Sequence, residues 1–265
     1  MRRGALIGAV LVVVLAAGAV WIGPRAWLWW QLQRTFDPET PLAEQCGDDV
    51  PDTAERLTWT ASDGQRLGAA VVGDPEARTG VVLRQGASQT LCHWLEWAEE
   101  TAEATGTRVL LFDRRGRGSS PGDQRLVREP EDLSEAVELL RADGVDEVVL
   151  VASSMGNSVM FASLPLLEPA PCAVVSISPV LTSGDGSGRV DGTNPSPLPA
   201  TTWVTWESRN AGVDQNAAHL AAQAAAQGQQ VRELAVDTED HSRQLVANHD
   251  EVRDFIVDAV ASCAP

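Results

Sequence analysis

The sequence contains no lysine and no tyrosine, so arginine supplies all of its cationic charge apart from histidine. That bias has no functional reading of its own. Positive charge of any kind is scarce, because 20 basic residues face 37 acidic ones and the formal net charge is −17 at pH 7. Phosphate backbones and anionic headgroups repel such a chain, which excludes non-specific nucleic-acid binding and adsorption to acidic lipid. The four cysteines, Cys46, Cys92, Cys172 and Cys263, show no C-x-x-C or other ligand spacing, which argues against a zinc site. No internal repeat is visible, and nothing marks a second domain. What remains is ample for one large core: 265 residues, 44% of them hydrophobic.

The amino terminus is the one stretch that does not read as globular. Arg2 and Arg3 precede an apolar run over residues 4–23, and a bilayer span takes ~20 such residues. Trp21, Trp27, Trp29 and Trp30 follow, as expected of indoles at headgroup level, and the arginines should stay cytoplasmic. Residues 1–30 therefore read as a single-pass membrane anchor that leaves the rest of the chain on the extracytoplasmic side. Ala17 and Ala19 keep open a cleaved signal peptide and a secreted product. An even cysteine count suits an exported chain and permits disulfides. All three connectivities stay open, as do four separately buried thiols. Residues 31–54, rich in Pro, Asp and Glu, read as a linker, and residues 55–265 as the folded domain.

Within that domain, "RLTWTASDGQRLGAAVV" shows two alternating apolar runs joined around Asp63 and Gly64, a hairpin signature. Short β-branched runs then alternate with helix-period stretches. "TGVVLRQG", "TRVLLFD", "DEVVLVAS", "CAVVSIS", "TTWVTW" and "QQVRELAV" predict strands. "LCHWLEWAEETAEATG", "EDLSEAVELLRADG", "MGNSVMFASLPLL", "NAAHLAAQAAAQG" and "HDEVRDFIVDAVASC" predict helices. The alternation implies an α/β class with a mostly parallel, doubly wound sheet. Near-continuous apolarity in "VVLV" and "AVVSI" predicts strands buried on both faces. Residues 181–199, loaded with Gly, Ser, Asp and Pro, predict one long irregular connection.

In such sheets functional groups collect beyond the carboxyl ends of the strands. There "VLVASSMGNS" drives a buried strand straight into a helix through small residues, with Ser154 flanked at two positions on either side by Ala152 and Gly156. A serine attacks a carbonyl only if it stands clear of its backbone and a base takes its proton. The turn provides the room, and the free N–H groups of the helix that follows face the point where an oxyanion would form. Ser154 is favoured over Ser153 on these grounds. A helix N-cap is the plainer alternative for the serine pair.

These segments together resemble the α/β-hydrolase family over nearly everything from about residue 56 onward. Ala152-Ser153-Ser154-Met155-Gly156 stands at its G-x-S-x-G elbow, with alanine for the first glycine. "FDRRGRGSS" looks like its D-x-R-G-x-G-x-S turn, "LRQG" stands where many members have His-Gly, and "ELAVDTEDHS" looks like the last strand and the loop delivering a histidine. The resemblance implies an α/β-hydrolase fold with a minimal lid, Ser154 as nucleophile, and the backbone N–H groups of Ala87 and Met155 as the oxyanion hole. Members using aspartate at the elbow are poor matches.

For a base the chain offers only His93, His219, His241 and His249. His241 alone follows a strand end in a polar loop, and it matches the family position. For the acid, Asn210 in "WESRN" stands where the family has aspartate. Glu207, three residues earlier, is an alternative, and so is Asp185 in the 181–199 connection; Asp240 ranks below them because loop neighbours rarely face each other. Asp113, Arg114, Arg115 and Arg117 read as a locally paired structural turn in preference to an anion site.

The expected function is an exported, membrane-anchored serine hydrolase cleaving an ester, thioester or similar acyl bond of a small molecule through an acyl-enzyme, without metal or organic cofactor. The other reading is a hydrolase-like domain that has lost catalysis and serves as a surface binding or scaffolding module. Asn210, Ala152 and Gln85 favour the second; Ser154 and His241 favour the first.

Overall fold

The computed structural model describes residues 35–48 and 50–263. The expected anchor or signal segment, 1–30, lies outside these residues. Among the described residues no helix is long and apolar enough to cross a membrane.

Strands β1 (Glu55–Thr60) and β2 (Arg66–Gly73) form the expected antiparallel hairpin. The chain reverses at Gly64, whose φ of 87° suits a residue without Cβ. There follow β3 (Thr79–Arg84), β4 (Arg108–Phe112), β5 (Glu147–Ser153), β6 (Ala173–Ile177), a small pair β7 (Thr182–Asp185) and β8 (Gly188–Asp191), then β9 (Thr201–Glu207) and β10 (Gln230–Val236). The main sheet has eight strands in the order β1-β2-β4-β3-β5-β6-β9-β10, parallel from β4 to β10. Strand β2 runs antiparallel to β4.

Helices α1 (Leu42–Cys46), α2 (Leu95–Thr105), α3 (Glu129–Ala142), α4 (Gly156–Ser163), α5 (Ala211–Ala226), α6 (Arg243–Asn248) and α7 (Asp250–Ala261) occupy the connections and ends. Alternation along β5 shows why its sequence is almost wholly apolar. Val148, Leu150 and Ala152 enter one core with Val137 and Leu140 of α3, Val159 of α4 and Leu220 of α5. Val149 and Val151 enter the other, with Ala98 of α2 and Ile256 of α7. Both faces of the strand are covered, so neither tolerates polar side chains.

The connection over residues 181–199 is not wholly irregular: β7 and β8 pair antiparallel within it. A polar pair of four-residue strands leaves no apolar alternation to read. What organises it is Asp185, whose carboxylate accepts from the amides of Leu126 (2.9 Å) and Ser187 (2.7 Å). Leu181, Val190 and Leu198 anchor the segment in the core.

The stretch read as a linker, 31–54, is described from residue 35 and is tied to the domain. Phe36 N–H donates to the Gly118 carbonyl (2.7 Å), and the Gln45 amide donates to Asp113 (2.7 Å). A disulfide joins Cys46 to Cys92, and a second joins Cys172, just before β6, to Cys263 after α7. All four cysteines are thus paired, in one of the three connectivities the sequence allowed.

Candidate active site

Strand β5 hands over to α4 through a left-handed residue: Ser154 has φ 53°. Such a conformation is costly for a residue with a Cβ, about 1–3 kcal/mol, and persists only where its surroundings enforce it. Here they do. Ser154 N–H donates to the Ile177 carbonyl (2.9 Å), and the buried Asn157 amide donates to both Ser154 O and Ile177 O (3.0 Å each). Gly156 is needed for a different reason: a Cβ there would overlap the carbonyl oxygen of Arg84, so only glycine lets α4 start this close to β3. Ala152, which stands for the family's first glycine, is fully buried in the core behind the turn.

The Ser154 hydroxyl lies 2.8 Å from His241 Nε2, and His241 Nδ1 lies 2.6 Å from Glu207 Oε1. A carboxylate only accepts, so Nδ1 carries the proton and Nε2 is left to accept from Ser154. Three strand ends meet in this line: β5 for Ser154, β9 for Glu207, and the loop after β10 for His241. Ser153, by contrast, is fully buried and bonds to the Ser242 hydroxyl.

Of the candidate acids, Glu207 is the one in contact with His241. Asn210 is the N-cap of α5, accepting from Val213 N–H (3.5 Å) and donating its side-chain N–H to Glu207 Oε1 (3.2 Å). Asp185 serves the β7–β8 hairpin as described, and Asp240 accepts from Asn248 (2.9 Å) and pairs with His249 (3.1 Å). Glutamate is one methylene longer than aspartate, and it starts one turn earlier, on the last residue of β9. Burial alone pushes the Glu207 carboxyl up, but hydrogen bonds from His241 and Ser178 outweigh it and hold the group below the usual carboxylate range.

The other histidines are placed away from this line. His93 Nδ1 accepts from Thr90 N–H in a capping turn ahead of α2 (3.0 Å), His219 bonds the Thr193 carbonyl (2.6 Å), and His249 stands just before α7 with its ring on Asp240.

The loop after β3 faces Ser154 from the other side. Gly86 packs close to the Ser154 Cβ. The loop is gripped at three successive residues: Arg84 donates to Gln85 O (2.6 Å), Gly86 N–H donates to Gln89 Oε1 (3.0 Å), and Arg114 donates to Ala87 O (3.2 Å). Neither the Ala87 nor the Met155 amide donates to any acceptor among the described residues, so both remain available. The arginines pair locally: Arg84 and Arg114 share the buried Glu129, and Arg115 bridges Asp132 and Asp63. Arg84, Gln89, Ser178 and Ser242 were not singled out in the sequence, where they read as strand ends or turns.

A residue pattern with these distances suits proton transfer from a serine hydroxyl and attack on an acyl carbon. Residues 86–262 match the model of the Alpha/beta hydrolase family. The chain belongs to that family. Among solved structures it is similar to an esterase of Pyrococcus furiosus at 18% identity, covering 80% of this chain and 92% of that one with a TM-score of 0.66. It is also similar to a hormone-sensitive lipase from a metagenome library (17% identity, 90% and 97% covered, TM-score 0.63) and to an esterase/lipase from an uncultured bacterium (15%, 90% and 96%, 0.58). At such identities the likeness is one of fold. No curated protein matches the chain in sequence. Among the described residues no group of three or more His, Cys, Asp or Glu side chains is placed to hold a metal ion.

Proposed function

We propose that the chain is a serine hydrolase that cleaves small acyl esters through an acyl-enzyme. The observation that carries this is the single histidine bridging a left-handed elbow serine, at 2.8 Å, and a buried carboxylate, at 2.6 Å. Ser154 Oγ attacks the acyl carbon as its proton passes to His241 Nε2, and the N–H groups of Ala87 and Met155 receive the oxyanion. His241 then protonates the leaving alcohol, and water, deprotonated by the same nitrogen, releases the acid from Ser154. Glu207 keeps the imidazole in the Nδ1–H tautomer and balances the imidazolium. The side chain of His241 is 37% exposed, which favours small, soluble substrates over long acyl chains.

The same proposal places the domain outside the cytoplasm behind an N-terminal anchor, with secretion as the alternative. Its support is the apolar run over 4–23 and the two disulfides, which persist in oxidising compartments. Labelling with a fluorophosphonate probe tests the chemistry. Wild type should take the label and lose p-nitrophenyl acetate hydrolysis as it does so, whereas Ser154→Ala should neither label nor hydrolyse the ester; a folded wild type that takes no label would favour the binding-module reading. On p-nitrophenyl esters, kcat/KM should fall as the acyl chain lengthens.

A further inference from the structure

Three non-glycine residues with positive φ occur among the described residues, Ser154 (53°), Ser178 (48°) and Ser242 (60°), and all three converge on one hydrogen-bonded cluster. Ser154 has its role above. Ser178 follows the end of β6 and is fully buried, with its N–H on the Thr205 carbonyl of β9 (2.9 Å), the strand that bears Glu207. Its Oγ lies 2.6 Å from Glu207 Oε2 and accepts from Ser242 N–H at 2.9 Å. The amide can only donate, so the hydroxyl proton is committed to the carboxylate. Each oxygen of Glu207 then has its own partners, His241 and Asn210 at Oε1 and Ser178 at Oε2, so that rotation of the carboxylate is blocked. Ser242 in turn is the residue next to His241, and its own hydroxyl accepts from Gln89 (2.9 Å).

We propose that Ser178 is a positioning residue for the reaction, its hydroxyl fixing the Glu207 carboxylate and the His241 loop as one unit. The inference rests on the reading of Ser154, His241 and Glu207 given above. Without the hydroxyl, Oε2 is left buried and unsatisfied, and the base loop loses its tie to the acid. Besides His241, the charged groups on the segments that carry the cluster include Glu239, Arg243 and the Asp240–His249 pair around the His241 loop, and the exposed Arg209–Asp237 pair (2.8 Å) beyond β9 and β10.

The experiment compares Ser178→Ala, Ser178→Gly and each change in a Glu207→Gln background, with p-nitrophenyl acetate as substrate. A hydrogen bond to a charged group sets the scale, so kcat should fall roughly ten- to hundred-fold, with KM little changed. The acid limb of kcat/KM should move to higher pH, because a carboxylate relieved of one donor holds the His241 imidazolium more tightly. Ser178→Gly removes the hydroxyl while relieving the left-handed strain, so a melting temperature at or above that of wild type together with the same loss of kcat separates positioning from folding. In the Glu207→Gln background the serine change should cost nothing further. Wild-type kcat and pH profile in both serine variants, or losses that simply add to that of Glu207→Gln, would overturn the inference. Ser154→Ala is read separately: if it retains hydrolysis, the catalytic reading itself fails and this inference with it, whereas an inactive Ser154→Ala beside unimpaired Ser178 variants defeats the inference alone.

Discussion

At the scale of single residues, Asn210 is a hydrogen-bond partner of Glu207, the carboxylate in contact with His241. Its side chain caps α5 and also donates to Glu207, two tasks that an aspartate would divide differently. Asn210→Asp should keep the helix, since aspartate caps as well as asparagine. It would, however, replace a donor to Glu207 with a second anion about as far away as the original bond. Two carboxylates so close raise each other's affinity for protons and together hold the imidazolium more firmly. The expected outcome is a kcat/KM near wild type at pH 8 to 9 but clearly reduced at pH 5 to 6, measured as a full pH profile; a gain at every pH would mean that Asn210 is a lesion after all. Glu207 has a folded pKa below its ordinary value, so its contribution to stability is present at neutral pH and fades as pH falls through that lowered value. Ser154 and His241 were legible in the sequence because an elbow and a post-strand loop leave local patterns. The carboxylate that meets His241 was not, since Glu207, Asp185 and Asn210 all lie at or just after the ends of strands, and only side-chain reach in space separates them. Ser178 left no local sign at all: "SISPV" reads simply as the end of a buried strand.

At the scale of elements, the site depends on how closely α4 can start against β3. Gly156→Ala would press a methyl group into the Arg84 carbonyl, a backbone atom that cannot swing away. Overpacking of this kind costs typically ~1–3 kcal/mol, and here the displaced element carries Ser154. The variant should melt several degrees lower and lose most of its kcat, whereas an equally destabilising change in α7 should lower the melting temperature alone; thermal melts and kcat measured side by side check this. The five inner parallel strands and the five long helices were readable because a strand covered on both faces is largely apolar and the helices return every third or fourth residue to a core, while the exposed edge strand β10 showed as a β-branched and aliphatic run. The β7–β8 hairpin was not, because its strands are polar and its shape comes from the backbone of residues 126 and 187 bonding to Asp185. Likewise the residues from 35 to 48 read as a linker on composition, while tertiary bonds to Gly118 and Asp113 draw them onto the domain.

At the scale of the whole molecule, two covalent ties join Cys46 to Cys92 ahead of α2 and Cys172 ahead of β6 to Cys263 after α7, with sequence separations of 46 and 91 residues. In the chain-entropy picture, loops of this length are worth about 4 kcal/mol each. Reduction under native conditions should therefore lower the melting temperature markedly while leaving the fold's circular dichroism intact at room temperature. Replacing Cys172 and Cys263 by serine should cost at least as much as replacing Cys46 and Cys92. Calorimetry with and without a phosphine reductant reads both outcomes. Phe36, Gln45 and Cys46 attach at Gly118, Asp113 and Cys92, all of them beyond the carboxyl ends of β3 and β4, the rim that also carries Ser154. The first described residue, Thr35, is bridged to Gly118 and accordingly lies on the rim that carries Ser154, not behind the sheet.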